Sequence, residues 1–174
     1  YKPYLDAFSQ GENGAFVTGT AGWSVAGTSI AAAATSIART AGGSFATQVA
    51  AWDAYATVVT TATAGSGADY PLGTRTFLAG RTYRLRVALM YVSGGSSVTL
   101  RLGSVGTVGD RASSTVAAPW AWEWSTVDWT PSADRTDACV AISNSVASGA
   151  ASTFRIGHVE VYEAYDDLGA DVGT

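Results

Sequence analysis

The chain is 174 residues long, with 47% hydrophobic but only 14% charged residues and a net charge of −4. A chain of this length suits one domain that buries roughly 70% of the surface its unfolded form exposes, and its scattered basic residues argue against the phosphate-tracking patch of a nucleic-acid binder. No apolar run reaches the roughly 18 residues of a membrane-spanning helix, so no membrane insertion is expected, and the start at Tyr1 reads as a processed chain or a piece of a longer one.

The opening from Asn13 to Trp23 is rich in turn residues. Ile30 to Ile37 carries enough alanine to suggest a helix, but its flanking Thr-Ser pairs and missing 3.6-residue stripe favour an extended segment. Strands are predicted for Phe45 to Val49 and for Ala54 to Ala62. The clearest strand is Tyr83 to Val92, where Tyr83, Leu85, Val87, Leu89 and Tyr91 share the face expected to meet the core. Arg84, Arg86, Ala88 and Met90 share the other. After Ser93-Gly94-Gly95-Ser96 the run Val98 to Leu102 alternates again with Arg101 outward, which predicts a hairpin and three arginines projecting from one sheet.

Further strands are predicted for Thr126 to Thr130, Ala138 to Ser143 and Phe154 to Tyr162. Cys139, the single cysteine, sits in an alternating run and reads as a small buried thiol. In the last strand, Phe154 and Ile156 fall on one face and Val159 and Val161 on the other, so an extra residue at Gly157-His158 is expected to form a bulge that returns all four to the core. Period-two alternation broken by Gly, Ser, Asp and Pro clusters predicts an all-β sandwich or barrel. Residues 1–164 read as one module and 165–174 as an acidic linker or tail.

A sugar site needs a flat apolar ring for the C–H face of a pyranose and hydrogen-bonding groups for its hydroxyls. Six Trp and eight Tyr are more than this core absorbs easily. Pro119-Trp120-Ala121-Trp122-Glu123-Trp124 is the conspicuous excess: fully extended, it would place its three indoles on one face and Glu123 opposite. Trp52-Asp53-Ala54-Tyr55 is a second aromatic loop with a carboxylate. The bland alternatives are indoles that cover the sandwich edge or face a neighbouring subunit, and arginines on a merely solvated face. For catalysis the signals are poor. His158 is the only histidine and reads as structural, no nucleophile elbow is present, and nothing recommends Glu123 with Asp128 or Asp53 as facing carboxylates. No metal cluster or phosphate loop appears, so no cofactor and no catalytic residue is expected.

Several motifs, in order, resemble the carbohydrate-binding modules of families 4, 9 and 22. They are Asn13-Gly14 with Phe16, Gly19, Gly22 and Trp23; Gly43-Ser44-Phe45; the run from Phe77 to Tyr83; Trp122 and the segment Trp129 to Asp134; and Ile156-Gly157-His158-Val159. The similarity covers residues 6–164 and implies a β-sandwich of jelly-roll topology, galactose-binding-domain-like. It aligns Trp23, Trp122 and Trp129 with structural positions, leaving Trp120 and Trp124 spare. The family commonly holds a structural calcium through carboxylates of its opening and closing motifs, where this chain has Val17, Gly157 and His158. Calcium wants six to eight oxygen ligands, so the usual metal site is expected to be empty unless Asp6, Glu12 or Glu160 supplies it.

Jelly rolls of this sort also occur in bacteriophage tail and fibre proteins. The resemblance therefore implies a non-catalytic module of a larger extracellular or virion protein that binds a glycan or polysaccharide. Stacking would fall to Trp120 or Trp124 and to Trp52 or Tyr55, with polar support from Glu123, Asp53, Gln48 and Arg86. The alternative is a purely structural virion domain that contacts other subunits or domains.

Overall fold

The computed structural model describes residues 14, 22–26, 28–32, 55–60, 62, 67–73, 75–94, 97–117, 119–145 and 151–164. These contain ten strands: β1 (Ser24–Ala26), β2 (Thr28–Ala32), β3 (Ala56–Thr60), β4 (Gly67–Pro71), β5 (Tyr83–Gly94), β6 (Ser97–Ser104), β7 (Arg111–Ala117), β8 (Glu123–Trp129), β9 (Ala138–Asn144) and β10 (Ser152–Glu163). They form two five-stranded sheets, in the orders β1-β4-β9-β6-β7 and β2-β3-β10-β5-β8. Every pairing is antiparallel. Most successive strands switch sheets, as in a jelly roll.

The two-residue period is what makes this possible. On β5, Tyr83, Leu85, Val87, Leu89 and Tyr91 are buried while Arg84, Arg86 and Met90 are only half-buried. Phe154, Ile156, Val159 and Val161 of β10 join them, and Val98, Leu100, Leu102, Val140 and Ile142 of the facing sheet close the core. Each such side chain contributes about 1.5–3 kcal/mol relative to exposure. Trp23 and Trp129 are buried as the resemblance implies, Trp23 against Tyr70 at 5.2 Å and Trp129 against Phe77 at 5.5 Å.

The bulge is where the alternation places it. Ile156 pairs with Leu89 and Val159 with Val87, so Gly157 and His158 together oppose Ala88, and all four apolar residues of β10 are buried. The predicted hairpin of β5 with β6 does not form. β5 pairs with β10 and β8, whereas β6 pairs with β7 and β9, so the chain crosses from one sheet to the other at this turn. Alternation reports only that one face of each strand is buried, and a sandwich corner satisfies that as well as a hairpin. Gly94 makes the corner: its φ is +96°, and a Cβ there would lie 1.9 Å from the Ala151 carbonyl oxygen. Arg101 consequently projects from the opposite sheet to Arg84 and Arg86.

A buried carboxylate locks one end of the sandwich. Asp110, 5% exposed, precedes β7 and accepts hydrogen bonds from Trp129 Nε1 at 3.2 Å, Ser132 N at 3.1 Å, Ser132 Oγ at 3.2 Å and Arg135 Nε at 2.5 Å. Burial alone would push its pKa up. The bonds from Arg135, Ser132 and Trp129 outweigh that and hold it below the ordinary carboxylate value. Residues 45–49, expected as a strand, and the 165–174 tail lie outside the described residues.

Candidate functional site

The Trp120–Trp124 segment does not run as one extended ribbon. β8 begins only at Glu123, and the bend before it separates the three indoles. Trp124 pairs with Ala88, placing it on the outer face of its sheet. There Trp122 is buried against Ala88, with Tyr55, Met90 and Trp124 packed around the pair. The Tyr55 ring meets Trp122 edge-on at 6.0 Å. Arg86 lies 3.6 Å above the Trp124 ring, and His158 meets that ring edge-on at 6.0 Å. One face of Trp124 is thus occupied by a guanidinium, a cation–π contact.

Trp120 lies elsewhere. It is 77% exposed and crosses the Tyr91 ring at right angles, 4.5 Å between centroids. The ring pair is held in place, because Tyr91 N donates to the Pro119 carbonyl at 2.6 Å and the Tyr91 hydroxyl donates to the Gly94 carbonyl. Glu123, three residues on, is exposed. Only one of the two spare indoles therefore offers an open ring.

The rest of that outer face is an ionic lattice. Asp128 binds Arg84 through two bonds of 2.7 Å, Glu160 accepts from His158 at 2.8 Å and lies 3.7 Å from Arg86, and Arg155 stands 5.0 Å over Tyr55. The Glu160 carboxyl is raised by its own burial but lowered more by His158 and Arg86, so it stays ionised below the usual range. Arg86, expected to support a ligand, is already engaged by Trp124 and Glu160. Trp52, Asp53 and Gln48 fall outside the described residues, as do Asp6, Glu12 and Val17 of the calcium expectation.

Glu123 and Asp128 cannot act as a carboxylate pair. They sit five positions apart on one strand with opposite side-chain parity, about 17 Å at 3.4 Å per residue, whereas glycosidase pairs stand roughly 5–9.5 Å apart. No group of three His, Cys, Asp or Glu able to hold a metal ion occurs among the described residues.

A second feature, on the outer face of the other sheet, was not visible in the sequence. Asp69 of β4, Ala141 of β9 and Arg101 of β6 fall in one row across the sheet, and Cys139, Gly103 and Arg111 in the next. Together with Ser104, Val105 and Ser143 they line a shallow groove of about 160 Å³. Its floor is small and its walls are charged. Arg111 donates to the Ser104 and Val105 carbonyls. Burial raises the Asp69 carboxyl, with Arg101 opposing, and burial with the nearby Asp69 charge pushes the Cys139 thiol up to about 11. Three distant segments supply these residues and none is aromatic, so no local motif marked them.

No family model and no curated protein sequence matches the chain. Among solved structures, it is similar to the C-terminal family 22 carbohydrate-binding module of Clostridium thermocellum Xyn10B, with 20% identity over 93% of this chain and 98% of that one and a TM-score of 0.61. A family 4 carbohydrate-binding module matches with 19% identity over 86% and 99% and a TM-score of 0.58. The chain also spans 26% of the length of an α-L-arabinofuranosidase, MgGH51, at 15% identity and a TM-score of 0.63. It spans 21% of the enzymatically active domain of bacteriophage CBA120 tailspike protein 4, at 13% identity and a TM-score of 0.56. The chain thus has the all-β, jelly-roll sandwich fold of the family 4 and family 22 carbohydrate-binding modules.

Proposed function

We propose that this chain is a non-catalytic carbohydrate-binding module of a larger extracellular or virion protein, with Trp120 as its stacking platform. The observation that carries this reading is a braced indole left 77% exposed at the end of a sheet. Exposing a ring of that size to water has a cost that a pyranose face would remove, while Glu123 is placed nearby in sequence to accept from hydroxyls. Arg86 covers one face of Trp124, and Tyr55 packs on the buried Trp122 under Arg155, so in this reading all three are supporting structure rather than the platform. Trp52, Asp53 and Gln48 stay in the proposal on their sequence position just ahead of Tyr55. Such a shallow site binds weakly, so useful avidity comes from repetition along a polysaccharide or a fibre.

The second reading, a structural virion domain whose Trp120 seats against another subunit, is favoured only by the tailspike likeness. Affinity electrophoresis through gels carrying a panel of soluble polysaccharides tests both. Retardation by at least one polysaccharide that disappears with Trp120→Ala supports sugar stacking. Retardation that survives Trp120→Ala but disappears with Arg101→Ala moves the site to the groove on the other sheet, and no retardation by any polysaccharide favours the structural domain.

A further inference from the structure

The two sheets end very differently on the side of β7 and β8. β8, the edge of its sheet, begins with Glu123 and carries Trp124 and the Arg84-bound Asp128 on its outer face. β7, the edge of the other sheet among the described residues, reads Arg-Ala-Ser-Ser-Thr-Val-Ala. Its pairing with β6 runs from Ser97↔Ala117 to Gly103↔Arg111 without a register shift. Arg111 is its only charge, and that guanidinium is turned onto the Ser104 and Val105 carbonyls. Edge strands are ordinarily protected by charges, proline, bulges or shortness. Across 112–117 β7 has none of the first three, and seven residues is a full strand length.

Its inner face is also unfinished. Ala112 and Val116 pack against the main core but remain only partly buried, while Ser113, Thr115 and Ala117 are exposed on the outer face. Every second residue of a strand bonded on one side alone turns its N–H and C=O away from the sheet.

We propose that β7 is a self-association edge, on which β7 of a second copy of this chain adds antiparallel about a twofold axis through Ser114. The pairing is self-complementary. Ala112 meets Val116 on the inner side, extending apolar cover over the open end of the core, and Ser113 meets Thr115 on the outer side. Hydroxyls already pair in this way within the molecule, where Thr99 Oγ1 and Thr115 Oγ1 of β6 and β7 lie 3.1 Å apart. Each Arg111 meets an Ala117, and the two arginines end about 20 Å apart at 3.4 Å per residue, so no like charges face each other. The axis stands perpendicular to the sheet, so both copies keep the same face inward and the two five-stranded sheets become one of ten. This interface is independent of sugar binding and of Trp120.

Cysteine crosslinking reads the register directly. In a Cys139→Ser background, which removes the only native thiol, Ser114→Cys should yield a disulfide-linked dimer under mild oxidation, because position 114 alone faces itself. Ser113→Cys and Thr115→Cys should not crosslink singly but should crosslink when mixed. Sedimentation velocity of the unmodified protein should show a concentration-dependent dimer, and Ser113→Lys with Thr115→Lys should leave a folded monomer of unchanged circular dichroism. A wild-type monomer at all concentrations measured, or crosslinking with no preference for position 114, overturns the proposal.

Discussion

Replacing Asp110 is the sharpest probe of what holds this sandwich closed. In Asp110→Ala the buried Trp129 Nε1–H loses its acceptor, as does the N–H of the exposed Ser132, and Arg135 loses its partner at 2.5 Å. Each buried unmet donor costs roughly 1–3 kcal/mol, and breaking a buried ion pair costs about 3–5 kcal/mol. Arg135 is 20% exposed and keeps its 3.0 Å bond to Thr107, which places the total near the lower end, about 3 kcal/mol. For a chain of this length that lowers the melting temperature by about 6–12 °C. Asp110→Asn keeps an acceptor and the shape, and should cost about 1–2 kcal/mol.

The pH dependence has a fixed sign. The folded-state pKa of Asp110 lies below its unfolded value, so its contribution is complete above about pH 4 and fades as the pH falls through the folded value. The gap between wild type and Asp110→Asn should therefore narrow below about pH 4. Urea or thermal unfolding followed by near-UV circular dichroism at several pH values measures both effects. A loss under about 0.5 kcal/mol in Asp110→Ala, or a gap that persists at low pH, would refute the reasoning.

Two further outcomes follow from the same geometry. Cys139, with its thiol pushed up to about 11, should carry about two hundredfold less thiolate at pH 8 than an ordinary cysteine, offset in part by the greater nucleophilicity of a high-pKa thiolate, so native protein should react with an aromatic disulfide reagent on the order of tenfold more slowly and recover a normal rate in denaturant. Asp128→Asn should change stability by less than about 1 kcal/mol in urea unfolding, despite two bonds of 2.7 Å to Arg84, because both side chains are about 40% exposed.

Strands whose inner residues are large were legible in the sequence, because burial of one face leaves a period of two. β5, β6, β9 and β10 were found this way, and the bulge at Gly157-His158 followed from four apolar residues that had to share a side. β4 and β7 were not anticipated. β4 holds Gly67, Asp69 and Pro71, residues that read as a turn, yet a Cβ at Gly67 would lie 2.2 Å from the Ile142 carbonyl oxygen, so the glycine serves close packing against β9. β7 offers only small and polar residues, whose alternation carries little contrast.

Which strand pairs with which was the weakest point, as the β5–β6 corner shows, since periodicity says nothing about partners. The aromatic excess drew attention to the segment Pro119 to Trp124 but did not reveal its geometry. A bend ahead of β8 sends Trp120 to Tyr91 and leaves Trp122 and Trp124 on the sheet face, a separation that depends on where the strand starts. The groove of Asp69, Arg101 and Arg111 depends on cross-strand register, which only the folded chain supplies.

The central claim concerns one indole in water. Tryptophan emission of the wild type, titrated with a panel of oligosaccharides and compared with Trp120→Ala, tests it most directly. Trp120 is largely exposed, so its contribution should shift to shorter wavelength when a sugar ring covers it. The account predicts a saturable shift with at least one oligosaccharide, and in Trp120→Ala the loss of that shift with affinity at least about tenfold weaker, 1.4 kcal/mol, at an unchanged unfolding midpoint. Binding that persists undiminished in Trp120→Ala, or a wild-type spectrum that no oligosaccharide moves, would contradict it.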